Sequence, residues 1–445
     1  MASARTTAIL GAAATIGLPL VVWPVTFAAI MRVPEYIANI KTHPVRSALT
    51  ATLSVALPLS AGWAAKTLMA SPPGFLTQAS LSCTLLRWVA GGTLASWAWM
   101  GLTMRHMDRD PPVPPYAPVA GGGGVDPEGK VALVTGATSG IGRASVIALA
   151  SAGMRVVFTS RSEARGKALA EEAGENAACV VLDPNSLGDV DVLGKAVQAA
   201  TEGKASAEEK ALLGEDSAGW LEEAGGVAVV VCNAGMFPRP GREPVLTENG
   251  LEPAFQVMHL SHHLLVERVT RAIKAVDGRV INVASEGHKM ASPVDAANPE
   301  TIFDPSRIAA PTSSGFLSYG HAKLANILHA RYLAASGMQA YAMHPGAVAT
   351  GIWTFPYALG FLGSTWRKIQ RAVFDTAANV IMKTSAQGSH TIVYLALAPQ
   401  SSISSSLYWS NLIPSDPFSS PHAQSESLAA YLSTLSTDLI TERLQ

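Results

Sequence analysis

KVALVTGATSGIG, Lys130 to Gly142, is the stretch from which the fold is read. Lys130–Thr135 is a short apolar run of strand length, and Gly136, Gly140 and Gly142 then punctuate the passage into Arg143–Ser151, a series of helix formers. A buried strand that ends in a glycine turn and feeds a helix is the opening unit of a dinucleotide-binding α/β domain. Glycine lets the backbone approach a pyrophosphate, and the helix N-terminus offers unpaired amides and the positive end of its dipole.

Working outward, further short apolar runs follow at Met154–Thr159, Cys179–Leu182, Val227–Val231, Arg279–Val283 and Gln339–Met343, each separated by helical stretches. That alternation predicts an α/β fold, a Rossmann-type doubly wound parallel sheet. The polar stretch between Ala199 and Gly226 reads as an external insertion, and the serine-rich tail after Gln400 as loop-heavy. At the end of the second strand the residue is Arg161, 19 positions after Gly142. An acid there would accept from an adenosine ribose 2′-hydroxyl; an arginine suits a 2′-phosphate. With Arg143 in support, the cofactor expected is NADP(H).

SYGHAKLANIL carries Tyr319 and Lys323 four residues apart, one turn along one helix face. A phenol ionises at a pKa of roughly 10, and a neighbouring ammonium is expected to bring it toward working pH, making a proton donor and acceptor beside the cofactor.

The chain of 445 residues has a formal net charge of −1, which points to no nucleic-acid partner. Its three cysteines, Cys83, Cys179 and Cys232, lie far apart in no metal spacing, as expected of a reduced compartment. The N-terminal part differs: residues 1–104 hold one acid, Glu35, against Arg5, Arg32, Lys41, Arg46, Lys66 and Arg87. Ala8–Met31 is uncharged over 24 residues, long enough to span about 30 Å of hydrocarbon, and Ala48–Ala65 and Trp88–Met104 are shorter apolar runs. Residues 1–110 are therefore expected to be a membrane-anchoring region with two to three transmembrane helices. Residues 111–127 form a proline-then-glycine linker, and residues 128–445 the NADP(H)-binding domain. The placement of the basic residues puts that domain on the cytosolic side of an integral membrane protein, in the endoplasmic reticulum or another organelle envelope such as that of the chloroplast.

TGATSGIG, VCNAG, RVINVASEGHK, SYGHAKLANILHA and MHPGAVAT, in this order, resemble the short-chain dehydrogenase/reductase family over roughly residues 128–412. Within it, YGHAKLANILHA and SEGHK are most similar to the retinol-dehydrogenase-like branch, including its chloroplast-envelope relatives. The resemblance implies that Tyr319 is the general acid/base, that Lys323 binds the nicotinamide ribose and lowers the phenol's pKa, and that Ser285 bonds the reacting oxygen. It further implies that Gly136, Ser139, Gly140 and Ile141 line the pyrophosphate turn. Asp183 would meet the adenine, with a plain strand-end turn as the alternative; Asn233 would lie at the adenosine ribose and Thr350 at the carboxamide. Relatives often dimerise through the tyrosine helix and the segment before it, so a homodimer is possible.

Two departures stand out. Met258, in MHLSHH, replaces the asparagine that helps anchor a proton-relay water in relatives, which leaves the backbone carbonyl as one route for the relay. Pro184 follows Asp183. His259, His262 and His263 have no carboxylate or cysteine at ligand spacing, and no metal is expected. The segment Gly351–Trp366, apolar and aromatic and followed by Arg367, Lys368 and Arg371, suits a substrate lid at a membrane surface. The function expected is a membrane-anchored oxidoreductase moving a hydride between NADP(H) and a lipophilic carbonyl or alcohol of retinoid, sterol, polyprenoid or fatty aldehyde class. The alternative is a non-enzymatic NADP(H)-binding sensor or scaffold.

Overall fold

A computed structural model of the chain describes residues 126–237, 245–309, 315–348, 382–403 and 406–445. The expected membrane region, nearly all of the linker, Thr350 and the Gly351–Trp366 lid lie outside the described residues. No helix among the described residues is long and apolar enough to cross a membrane.

The glycine-turn stretch folds as read. Strand β1 is Val131–Val134 and helix α1 is Gly140–Ser151, three residues longer at its start than the sequence suggested because the turn glycines themselves open the helix. Then come β2 (Arg155–Ser160), α2 (Glu163–Ala173), β3 (Ala177–Val181), α3 (Leu187–Thr201), α4 (Ala207–Leu213), α5 (Glu215–Ala224) and β4 (Val229–Cys232). After these lie a π-helical turn Gln256–Leu260 running into α6 (Ser261–Arg268), β5 (Arg279–Val283), α7 (Gly315–Ala335), β6 (Gln339–His344) and α8 (Ser385–Leu397). The chain ends with β7 (Tyr408–Ser410), β8 (Ile413–Pro414) and α9 (Glu426–Leu444).

The strands form one sheet in the order β3-β2-β1-β4-β5-β6-β7-β8, parallel throughout except for the antiparallel pair β7–β8. Strand order reverses between β1 and β4, the switch point at which such sheets open a crevice at their carboxyl edge. Both faces are covered, so alternate strand residues enter different cores. Val131, Leu133, Val230 and Val280 pack with α3, α6, α7 and α9, while Ala132, Val134, Val229 and Ile281 pack with α1 and α8.

Two expectations are corrected. The Ala199–Gly226 stretch contains α4, fixed by a Ser206/Glu209 capping box, and α5; Leu213 and Leu221 are buried, so it belongs to the core. The tail is not loop-heavy: it supplies β7, β8 and the 19 residues of α9, whose Leu428, Leu432, Leu439 and Ile440 are buried.

Candidate active site

The glycine turn, Asn233, Ser285 and His344 all sit where a strand of the sheet ends. Thr135 links the first two. Its hydroxyl accepts from the backbone N–H of Asn233 at 3.0 Å and of Ala234 at 2.9 Å, so its own proton is free to go to His262 Nε2, 2.8 Å away. The other ring nitrogen, Nδ1, must then carry the hydrogen that it donates to the Met258 carbonyl at 2.9 Å. Burial lowers the His262 pKa to about 4, so this neutral form holds at physiological pH.

The glycines of the turn are there for space and conformation. Gly136 has φ +65°, and a Cβ on it would lie 2.5 Å from Ala234 Cα; Gly140 has φ +58°. A Cβ on Gly142 would meet the Asn233 amide nitrogen, which itself donates to the carbonyls of Thr135 and Gly136 at 2.9 and 3.0 Å. Asn233 therefore buttresses the turn. Ile141 contributes backbone: its side chain packs toward α8, 3.2 Å from where a Cβ on Gly388 would sit. Ser139, the extended residue before α1, makes no side-chain cap, and α1 has no acid in its first turn. The first amides of α1 are thus uncommitted to a side-chain cap, and the dipole end has no carboxylate over it, which suits an anion.

Arg161 is exposed at the end of β2 with no acid beside it in sequence. Arg143 does not share that availability, because its guanidinium is paired with Glu172. Asp183, also exposed, uses Oδ1 to accept from the backbone and side-chain nitrogens of Asn185 at 3.0 and 2.8 Å, and the Pro184 carbonyl accepts from Ser261 Oγ at 2.7 Å. The strand-end turn weighed for Asp183 is therefore present, and Pro184 is built into it.

Ser285 lies two residues after β5 and begins the tight turn Glu286–Met290. Its hydroxyl oxygen accepts from the Gly287 N–H at 3.1 Å, and the hydroxyl lies near enough to the Tyr319 phenol to favour its ionised form against burial. Lys323, one helix turn on, has Nζ 5.6 Å from the centre of the Tyr319 ring and donates at 2.8 Å to the Val283 carbonyl, where Asn326 also donates at 3.1 Å. The structure thus gathers Ser285, Tyr319 and Lys323.

One expectation fails in the protein residues alone. Burial raises the Tyr319 pKa, with only the Ser285 hydrogen bond opposing it, and burial lowers Lys323 to about 7. Desolvation outweighs the ammonium's pull because that ammonium is itself disfavoured in the same water-poor place.

Met258 is wholly buried in the π-helical turn, its sulfur 3.4 Å from where a Cβ on Gly235 would lie. Its carbonyl, the suggested alternative relay point, is engaged by His262. His259, His262 and His263 make no metal cluster, nor does any group of three or more His, Cys, Asp or Glu among the described residues. Sequence reading overlooked Thr135, Asn326, Glu286, His288 and Tyr408, which hold the site together. Position in a motif was the only available signal for the first four; Tyr408 had none.

The short chain dehydrogenase family model matches residues 130–204. The chain is 32% identical over 334 residues to WW domain-containing oxidoreductase of Pongo abelii, covering 72% of this chain and 70% of the relative. It is 30% identical over 320 residues to retinol dehydrogenase 12 of Homo sapiens, covering 70% and 86%. Retinol dehydrogenase 14 of Mus musculus is 29% identical over 286 residues, covering 62% and 77%.

Proposed function

The chain belongs to the short-chain dehydrogenase/reductase family of oxidoreductases, in its retinol-dehydrogenase-like branch, and from that premise we propose that it is a membrane-anchored, NADP(H)-dependent enzyme that interconverts a lipophilic carbonyl and its alcohol. The observation that carries this is the Ser285–Tyr319 pair. The Gly287 N–H holds the Ser285 hydroxyl oxygen in place and leaves its proton to donate, which is what polarising a carbonyl oxygen requires. Tyr319 delivers the proton to that oxygen in reduction and takes it back in oxidation. Lys323, with a pKa near neutrality, can exchange a proton over the working range. A nicotinamide cofactor would supply or accept the hydride. Gly136, Ser139, Gly140, Ile141 and Gly142 would hold its pyrophosphate against α1, Arg161 a 2′-phosphate, and Asn233 would brace the turn. Asp183 and Thr350 are proposed at the adenine and the carboxamide.

An apolar substrate is supported by what lines the phenol: the Phe237 ring lies 5.2 Å from that of Tyr319, and Met290 packs against Gly287 in the same turn. The apolar N-terminal runs and the Gly351–Trp366 segment support location at a membrane, with the catalytic domain facing the cytosol.

The test is NADPH oxidation by the full-length protein in detergent, with retinal and a panel of lipophilic aldehydes and ketones, and with NADH for comparison. Turnover that prefers NADPH and disappears in Tyr319→Phe is expected; unchanged turnover in that variant would overturn the assignment. A second reading, an NADP(H)-binding sensor, is favoured by the occupied Met258 carbonyl. It predicts tight NADPH binding without turnover on the whole panel.

A further inference from the structure

His288 is fully buried in the turn that begins at Ser285, and its ring bridges two parts of the chain. The Ser420 backbone N–H, 132 residues on, donates to Nε2 at 3.1 Å. A backbone amide can only donate, so Nε2 is the bare nitrogen and the hydrogen sits on Nδ1. From there it goes to the Ser285 carbonyl at 2.7 Å, and the His288 N–H reaches the same oxygen at 3.0 Å. One further hydrogen bond and one ring contact hold the turn from outside: Tyr408 OH donates to Glu286 Oε1 at 3.0 Å, and the Tyr408 ring stands edge-on to His288 at 5.5 Å. The Glu286 carboxylate is also paired with Lys289, and the Glu286 N–H reaches His344 Nδ1 at 3.4 Å.

We propose that His288 is a positioning residue for Ser285: held in one neutral tautomer by the Ser420 amide, it fixes the serine's carbonyl and so aims its hydroxyl at the reacting oxygen. This rests on the oxidoreductase reading. The C-terminal segment 406–424, which contains no member of the catalytic trio, thereby sets the geometry of one of them. The Ser285 carbonyl accepts two hydrogen bonds from His288 and the serine's hydroxyl oxygen accepts one from Gly287, so backbone and side chain are both tethered to the turn. The Nδ1–H form persists across the working range because burial brings the His288 pKa down to about 4, and Lys289 adds to that.

The experiment compares His288→Gln, His288→Asn, Ser285→Ala and the Ser285→Ala/His288→Gln double variant in the full-length protein, with NADPH and retinal. Glutamine can reach Ser420 but puts no donor at the Ser285 carbonyl; asparagine carries its amide on the atom that bears Nδ1 and keeps that donor. His288→Gln should lower kcat about 10- to 100-fold, the scale of a small misplacement of a reacting group, with the NADPH Kd moved less than about twofold. His288→Asn should recover most of that loss. In the Ser285→Ala background His288→Gln should change kcat less than about twofold, because a strut has no effect once the hydroxyl it aims is gone. Wild-type kcat in His288→Gln, or a loss that multiplies that of Ser285→Ala, overturns the proposal.

Ring nitrogen NMR of the histidine-labelled full chain, with His288→Asn to assign the resonance, decides the geometry without turnover. A hydrogen on Nδ1 that persists from pH 8 to pH 6 is expected, and one on Nε2, or titration in that range, refutes the strut. If wild type turns over no substrate, the oxidoreductase reading fails while the resonance still reports on His288.

Discussion

Burial acts on Lys323 and Tyr319 in opposite chemical directions, and that gives the site its proton economy. Lys323 falls from 10.5 to about 7. At roughly 1.4 kcal/mol per pH unit, that is about 5 kcal/mol opposing the ammonium in the folded protein. Against this stands one charged hydrogen bond to the Val283 carbonyl, about 1.5–3 kcal/mol, and losing it orphans nothing, since Asn326 still donates there. Desolvation wins, so Lys323→Met should stabilise the protein without cofactor by about 2 kcal/mol at pH 7 while abolishing turnover. The sign follows from linkage: a group with a depressed folded pKa carries no penalty above its unfolded value near 10.5, and the full penalty below about 7. The gain of Lys323→Met should therefore shrink between pH 7 and pH 9 in denaturant titrations; a gain that is absent or independent of pH would contradict this account. At this scale the sequence was most informative about Ser285, Tyr319 and Lys323 themselves. Their pKa shifts were not legible, because desolvation depends on what packs around a group and not on its neighbours in the chain. Met258 was legible as a substitution, but the capture of its carbonyl by His262 needed the π-helical turn.

Between elements, the site depends on how closely α7 approaches the turn after β5. A Cβ on Gly287 would lie 2.9 Å from the Tyr319 ring, and a Cβ on Gly320 only 3.1 Å from the Gly287 carbonyl. Gly287→Ala must displace the phenol by a few tenths of an ångström or more. It should cost about tenfold or more in kcat while NADPH affinity holds; an equal loss of both would mean the turn had collapsed instead. The other side of the turn leans on β7, which Asp416 fastens. One carboxylate oxygen takes the N–H groups of Leu407 and Tyr408 and the Ser406 hydroxyl, and the other takes Arg331. Asp416→Ala should cost about 2–4 kcal/mol in denaturant titrations, from amides left short of an acceptor and the largely buried Arg331 left without its carboxylate; a change below 1 kcal/mol would show that β7 holds without it. These elements divide by legibility. Strand β1 was readable because both faces are buried and its residues are continuously apolar, and β5 through Val280, Ile281 and Val283 in spite of its buried Arg279 and Asn282. The tail was not, because the inner face of α9 includes Ser433 and Ser436. Ser436 is buried with its hydroxyl against His259 Nε2 at 2.8 Å, so a polar residue was doing a core residue's packing.

Over the whole molecule the least usual feature is the number of histidines held without charge. His259, His262, His263, His288, His321 and His329 are all depressed by burial, four of them to about 4 and His259 and His329 well below the ordinary value. The His259, His263 and His329 rings lie 5.0–5.9 Å apart where the π-turn and α6 meet α7 and α9, so that charging any one would disfavour the others. In the unfolded chain each titrates near 6.5. Below that pH the unfolded state binds protons that the folded state refuses, and stability is lost as pH falls, by up to roughly 1.4 kcal/mol per pH unit for each histidine. Six together approach about 8 kcal/mol per unit, comparable with the 5–15 kcal/mol that holds a typical domain folded. Carboxylates lowered by ion pairs, such as Asp191 with Lys195 and Arg268, lose their contribution only nearer pH 4 and cannot produce an earlier transition. The thermal midpoint of the full-length protein should therefore rise only gently above pH 7, as the Lys323 penalty is relieved, fall steeply from about 6.5, and reach unfolding at room temperature by about pH 5. His329→Gln should flatten that slope by about one proton's worth. A midpoint unchanged down to pH 5 would mean that the cluster is hydrated or relaxes on charging, and that the buried faces of α6, α7 and α9 do not act together against acid.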